Sequence, residues 1–186
     1  MEAKIVYFSK PGKQNTNQAL RLAKRRAKEL GIKTILVAST TGDTALKAME
    51  AFKGARIVAV SHFTGMKEPN VQEFSEESRQ RVISAGGSVL TATHTFSGLG
   101  RAMRKKFKMY LFEETVANTL RLFGQGMKVV CEITLMAADA GLVRTDEDII
   151  VIGGTGRGAD TAVVLKPVNS EDFFDLKVRE ILCKPL

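Results

Sequence analysis

Thr34-Ile35-Leu36-Val37-Ala38-Ser39-Thr40-Thr41-Gly42-Asp43-Thr44-Ala45 sets the pattern on which the fold is read. Thr34 to Ala38 is a short run without a polar side, as expected of a strand buried on both faces. Four hydroxyl residues, one glycine and one carboxylate follow, and then Ala45, Ala48, Met49 and Phe52 recur at helical spacing up to Gly54. Strand, polar loop and helix together make one unit of a parallel sheet, because parallel neighbours must be joined by a long crossover.

The same unit recurs on either side. Upstream, Lys4 to Phe8 reads as a strand, Ser9-Lys10-Pro11-Gly12-Lys13 as its loop, and Leu20, Leu22, Ala23, Ala27 and Leu30 as a helix stopped by Gly31. Downstream, Arg56 to Val60 is a strand ending at Ser61-His62-Phe63-Thr64-Gly65, and Glu76 to Ala85 is a helix. A further strand, Ser88 to Ala92, ends at Thr93-His94-Thr95-Phe96-Ser97. The basic segment Gly98 to Tyr110 has no clear period, whereas Glu113 to Phe123 and Met127 to Ala140 read as helices broken apart by Gly124-Gln125-Gly126. Asp148 to Ile152 and Thr161 to Leu165 are strands joined only through Gly153-Gly154-Thr155-Gly156-Arg157-Gly158. That link is too short for a crossover helix, so the pair is predicted antiparallel. Glu171 to Cys183 is predicted helical on its length, against its β-branched and aromatic content. The fold class is α/β, a doubly wound and mostly parallel sheet covered on both faces, in a single domain over residues 1–186.

Composition narrows the function classes. With 44% hydrophobic and 26% charged residues, the 186-residue chain has ordinary globular composition and is not a disordered one. The opening Met1-Glu2-Ala3-Lys4 leads directly into a strand and no apolar stretch has spanning length, so a cytoplasmic protein without a membrane partner is expected. Cys131 and Cys183 lie far apart and match no metal spacing. The net charge of +8 favours anionic partners, among which phosphorylated small molecules, nucleic acid and acidic proteins stay open. The basic runs Lys24-Arg25-Arg26-Ala27-Lys28 and Arg104-Lys105-Lys106-Phe107-Lys108 read as solvated helix faces, with few aromatic residues near them to stack on bases. A homo-oligomer is compatible with all of this.

In an open parallel sheet, ligands bind outside the carboxyl ends of the strands, where helix N-termini present unpaired amides. Those ends carry Ser9, Lys10, Gly12, Asn15 and Thr16; Ser39 to Thr44; His62 and Thr64; Thr93, His94 and Ser97; and the glycine run with Gly154, Thr155 and Gly156. The strongest pattern is Ser39-Thr40-Thr41-Gly42-Asp43-Thr44. Its hydroxyls rotate toward oxygen, Gly42 lets backbone approach closely, and the following helix adds its dipole, an environment suited to a phosphate monoester. The alternative is a helix cap by Thr41 or Asp43, which would need only one such group. The loop is similar to the phosphate loop of flavodoxins, although there it follows the first strand.

His62, His94, Glu132 and Asp139 are the candidate catalytic residues. Each histidine directly follows a strand and serves equally well as a hydrogen-bonded structural residue. Glu132 and Asp139 fall on nearly one face of an apolar helix at about 3.6 residues per turn, facing either a ligand or a partner cation. No ligand-like spacing supports a metal site. The Gly153 to Gly158 run is either a lid, with Arg157 for an anion, or a plain turn.

Phe8-Ser9-Lys10-Pro11-Gly12-Lys13-Gln14-Asn15-Thr16, Ala38 to Ala45, Phe123 to Val129 and Gly153 to Ala162 together resemble the stand-alone relatives of the pyruvate kinase C-terminal domain. The resemblance implies a three-layer α/β/α sandwich whose mixed sheet has its last strand antiparallel. It also implies a phosphate site at Thr41, Gly42 and Thr44, closed over by the Gly153 to Gly158 loop. No transfer of phosphate from phosphoenolpyruvate is expected, because the resemblance does not include the catalytic barrel. Asp43 stands where the enzyme's effector loop usually has a basic residue, which disfavours a sugar bisphosphate. The expected function is therefore binding of a phosphorylated small molecule, with flavin mononucleotide (FMN) as the cofactor. An enzyme acting on a phosphorylated metabolite and a basic regulatory or nucleic-acid-binding module are the alternatives.

Overall fold

The computed structural model describes residues 2–186. In chain order the elements are β1 (Val6–Phe8), a 3-10 turn (Lys13–Asn15), α1 (Thr16–Leu30), β2 (Thr34–Ala38), α2 (Asp43–Ala51), β3 (Arg56–Ser61), α3 (Glu76–Ser84) and β4 (Ser88–Thr91). They continue with α4 (Gly98–Phe107), α5 (Phe112–Arg121), α6 (Gln125–Asp139), β5 (Ile149–Gly153), β6 (Thr161–Lys166), a 3-10 stretch (Ser170–Asp175) and β7 (Lys177–Pro185).

All seven strands form one sheet in the order β1-β7-β6-β5-β2-β3-β4. β6 pairs antiparallel with both β5 and β7, and every other pairing is parallel. The mostly parallel sheet and the antiparallel pairing at the end of the chain agree with the sequence reading. Alternate residues explain why the strands lack a polar side. On β2, Ile35 and Val37 join the core under α1, α2 and α3, while Leu36 joins the core under α5 and α6. On β5, Ile150 and Ile152 point to the first core, Ile149 and Val151 to the second. All of these side chains are at most 1% exposed, and each contributes about 1.5–3 kcal/mol by leaving water. The molecule is thus an α/β/α sandwich with its best-buried strands in the centre of the sheet.

Two segments depart from the sequence reading. The region Gly98 to Tyr110, without a clear period, contains a regular helix, α4. Glu171 to Cys183 is not a helix: a 3-10 stretch reaches Asp175, and β7 then fills the place between β1 and β6. Two parallel or antiparallel neighbours with unpaired edges offer this segment more hydrogen bonds than a surface helix, and Val178, Ile181 and Leu182 suit a strand. Shifts in register on β6 at Ala162/Val163 and Val164/Leu165 absorb the mismatch. Among the described residues no helix is long and apolar enough to cross a membrane.

Candidate functional site

The strand order reverses between β2 and β5. From β2 the chain continues to β3 on one side, and from β5 it continues to β6 on the other. Connections leaving in opposite directions open a crevice at the carboxyl ends of such a pair. Val37 is in register with Ile152, so the Ser39–Thr44 loop and the glycine loop leave the sheet at one height. Between them lies a cleft of about 1120 Å³. Its walls include Lys13 and Thr16 after β1, Thr40, Thr41, Asp43 and Thr44 after β2, His62 and Met66 after β3, and Gly154, Gly156 and Arg157 after β5.

The Ser39–Thr44 loop divides its hydroxyls between two tasks. Ser39 is buried and its Oγ accepts the Ala45 amide at 3.2 Å, so this residue supports the helix start. Thr41 Oγ1 donates to Asp43 Oδ2 at 2.8 Å. Thr40 and Thr44 turn into the cleft. The residue preceding the helix, Gly42, caps with no side chain, and the amides of Asp43 and Thr44 donate to no acceptor among the described residues. The loop is therefore more than a cap: two amides at the positive end of α2 and the Thr44 hydroxyl are left over, and the Thr40 hydroxyl has only a long contact of 3.4 Å with His62 Nε2. Gly42 has φ of 103°, and a Cβ there would collide with Ser78, so no other residue fits without moving α3.

Across the cleft, the β1–α1 loop and the glycine loop are tied together by Asp160, which is fully buried. Its Oδ2 accepts the amides of Gly12 at 2.9 Å and Thr155 at 3.1 Å, and its Oδ1 accepts the Thr161 hydroxyl at 2.9 Å. Thr16 Oγ1 donates to the Lys13 carbonyl and accepts the Ala159 amide at 3.0 Å. Gly158, with φ of 74°, lies so close to Lys13 and Thr16 that a side chain has no room. Arg157 extends from the loop to Glu73 Oε1 at 3.1 Å. The glycine run is thus a fastened flap over the cleft, with Lys13, Lys47 and Arg157 as cations against Asp43 and Glu50.

His62 and His94 stand at the ends of adjacent parallel strands, their ring centroids 5.5 Å apart. His62 Nδ1 lies 2.8 Å from Glu73 Oε2, and its Nε2 lies 3.4 Å from Thr40 Oγ1. The carboxylate fixes the proton of a neutral ring on Nδ1, which leaves Nε2 to accept from Thr40 or from a ligand hydroxyl. The His62 hydrogen bond, assisted by Arg157, holds the Glu73 carboxyl below its usual range. His94 is buried, and burial lowers its pKa against the opposing field of Glu132, 3.8 Å away. Glu132 Oε1 accepts the Phe96 amide at 3.2 Å, and its Oε2 pairs with the buried Lys128. Burial pushes the Lys128 ammonium pKa down, while Glu132 opposes the shift.

Of the residues expected at the site, Thr16, Thr40, Thr41, Asp43, Thr44, His62, Gly154 and Gly156 line the cleft. Asn15 instead donates its side chain to the Lys10 carbonyl, Thr64 accepts from Gln72, and Thr155 gives its amide to Asp160; these shape the loops. His94 and Glu132 line a smaller chamber beside the cleft. Asp139 does not join either space. It sits at the far end of α6, exposed, and accepts the Ser170 amide at 2.9 Å and the Asn169 side chain at 3.2 Å. Sequence reasoning missed Glu73 and Lys128. The spacing of Lys128 and Glu132, one helical turn apart, signalled the second; nothing local signalled the first. Burial raises both cysteine thiols, Cys131 and Cys183, to about 12, so neither is a nucleophile at neutral pH.

A family profile described as "Pyruvate kinase, alpha/beta domain" matches residues 17–165. Among solved structures, a pyruvate kinase from Cryptosporidium parvum is 14% identical, with a TM-score of 0.44 and coverage of 82% of this chain and 23% of that one. The pyruvate kinase of Cryptosporidium parvum in complex with ADP gives 14%, 0.44, 82% and 24%. The chain spans about a quarter of the length of these enzymes.

Proposed function

The chain belongs to the family of the pyruvate kinase alpha/beta domain, and from that premise we propose that its cleft binds a phosphorylated small molecule, with FMN as the ligand. The observation that carries the reading is the start of α2, where the amides of Asp43 and Thr44 and the hydroxyls of Thr40 and Thr44 lack protein partners that would occupy them fully. A phosphate monoester supplies the acceptors these donors need, and the helix end favours its charge.

The rest of the cleft fits the body of a mononucleotide. Its volume of about 1120 Å³ lies just above the roughly 300–1,000 Å³ common for small-molecule sites. Ala38, Leu46, Met66 and Val129 offer apolar surface to a flat ring, and Lys13 and Arg157 offer cations near the flap. A bound flavin would bring hydride and electron transfer. The protein's own residues hold the phosphate, exclude water beneath the flap, and present His62 Nε2 to a ligand hydroxyl.

Titration of FMN with the purified chain, followed by flavin fluorescence, tests the reading. Binding should saturate, and Thr44→Val, which removes one hydroxyl and keeps the shape, should weaken it about ten-fold for one lost hydrogen bond to a charged group. Absence of saturable binding, or an unchanged affinity in the variant, contradicts it.

A further inference from the structure

The positive charge of the chain is gathered in one stretch. From Ser78 to Phe112 the sequence contains seven Lys and Arg residues and no Asp or Glu, so this stretch carries nearly all of the net charge of +8. It runs through most of α3, the edge strand β4, α4 and the turn into α5.

α4 and the turn after it stand apart from the sandwich. α4 packs broadly against no other element, and its 10 residues fall short of the roughly 12–15 below which a lone helix is marginal in water. Leu99, Met103 and Phe107 recur every four residues and share one face, while Arg101 and Lys105 lie on the opposite one. Met109, Tyr110 and Phe112 continue the apolar surface past Lys108, which turns the chain with φ of 58°. Leu99, Phe107, Met109, Tyr110 and Phe112 are each between 53% and 82% exposed, and none of them lines the cleft or the chamber beside it. The run Arg104 to Lys108 is solvated, as expected, but it is interleaved with these apolar side chains. Arg104 pairs with Glu114 at 2.8 Å, whereas Arg101, Lys105, Lys106 and Lys108 have no carboxylate partner among the described residues.

We propose that α4 and the turn into α5 bind the surface of an anionic lipid bilayer. A short basic helix with exposed Leu and Phe lies in the interface, its apolar side chains among the acyl chains and its Lys and Arg at the anionic headgroups. Such contact is with the surface, so the length needed to cross a membrane has no bearing on it. Three features favour this occupant. A second copy docked on the same face would set cations against cations, with no exposed carboxylate in the stretch to pair them. An unpaired base needs an open aromatic plane, but Arg104 already lies over Tyr110 at 5.7 Å and Lys106 over Phe107 at 5.3 Å, and Leu99 and Met109 cannot stack. A protein groove must match the shape of what it holds, whereas a fluid headgroup layer accepts side chains that project from both sides of a turn. This surface is separate from the cleft, and the proposal does not rest on what the cleft binds.

Co-sedimentation of the full chain with vesicles tests it. Vesicles of phosphatidylcholine with roughly 30 mol% phosphatidylglycerol should retain the chain, vesicles of phosphatidylcholine alone should not, and added salt should weaken retention. Lys105→Gln with Lys106→Gln should weaken it at least about ten-fold, since each lysine at such a surface is worth about five-fold. Lys24→Gln with Lys28→Gln removes the same charge from exposed positions on α1 and should change it less than about three-fold. Phe107→Trp gives the chain its only tryptophan, whose emission should move to shorter wavelength with the anionic vesicles as the ring leaves water. No retention on anionic vesicles, equal retention on both kinds, equal losses from the two lysine pairs, or an unmoved tryptophan emission would overturn the proposal. So would tighter binding to poly-uridylate than to vesicles, or self-association abolished by Phe107→Ser, which would assign the surface to RNA or to a second copy.

Discussion

Asp43 opens α2 and Thr41 lies just before its capping glycine, and the 2.8 Å bond between them holds a carboxylate close to the amides that a phosphate would use. At this position Asp43 steadies the helix through its dipole, an effect of about 0.3–1 kcal/mol. It also repels the anion. Asp43→Asn keeps the acceptor for Thr41 and removes the repulsion, so FMN should bind several-fold more tightly in calorimetric titration while the midpoint of thermal unfolding drops slightly. Weaker binding in this variant would mean that the phosphate lies elsewhere. At this scale the sequence announces the chemistry of the loop but not its division of labour. Four hydroxyls within six residues are visible, yet only folding turns Ser39 inward to Ala45 and leaves Thr40 and Thr44 in the cleft. Asn15, Thr64 and Thr155 share the polarity of the true lining residues and are used up by carbonyl, side-chain and carboxylate partners within their own loops.

Asp160 joins elements that are distant in the chain: one carboxylate holds the loop after β1, the flap after β5 and the start of β6. Asp160→Ala removes the oxygen that accepts both the Gly12 and the Thr155 amide and leaves those donors without a partner. A loss of about 2–3 kcal/mol in denaturant unfolding is expected, together with weaker ligand binding as the flap loses its anchor. Unchanged stability would show that the loops are held by other contacts. The central elements were legible because Ile35–Val37 and Ile149–Ile152 are buried on both faces and so carry unbroken apolar runs. β7 was not legible. Its residues Lys177, Val178 and Arg179 are exposed, and its conformation is decided by pairing with the edges of β6 and of β1, the latter from the opposite end of the chain. Glu73 was missed because its meaning depends on the β3–α3 connection folding back onto His62 and on Arg157 arriving from the loop after β5.

For the molecule as a whole, the shifted groups give stability a definite pH dependence. Burial holds the pKa of His94 below its ordinary value of 6.5, so below that pH the unfolded chain takes up a proton that the folded chain resists, and stability falls as pH falls. Glu73 is lowered from 4.5, so its contribution is present above that value and is lost as pH falls through its folded pKa. The thermal midpoint should therefore decline from pH 7 downward in two stages. His94→Gln, which cannot take up the proton, should flatten the upper stage and leave the lower one. A midpoint independent of pH between 7 and 5 in the unsubstituted chain would contradict the burial of a neutral imidazole beside Glu132 and Lys128. The same architecture explains where the cleft lies, because the reversal of strand order between β2 and β5 brings the Ser39–Thr44 loop and the glycine loop to one crevice.

Isothermal calorimetry of the full chain with FMN and with riboflavin, which differ only in the phosphate, tests the central claim most directly. FMN should bind saturably and at least about ten-fold more tightly than riboflavin, as expected for charge-assisted bonds to the start of α2. Equal affinity for the two, or no binding of FMN, would contradict a phosphate site at Ser39–Thr44.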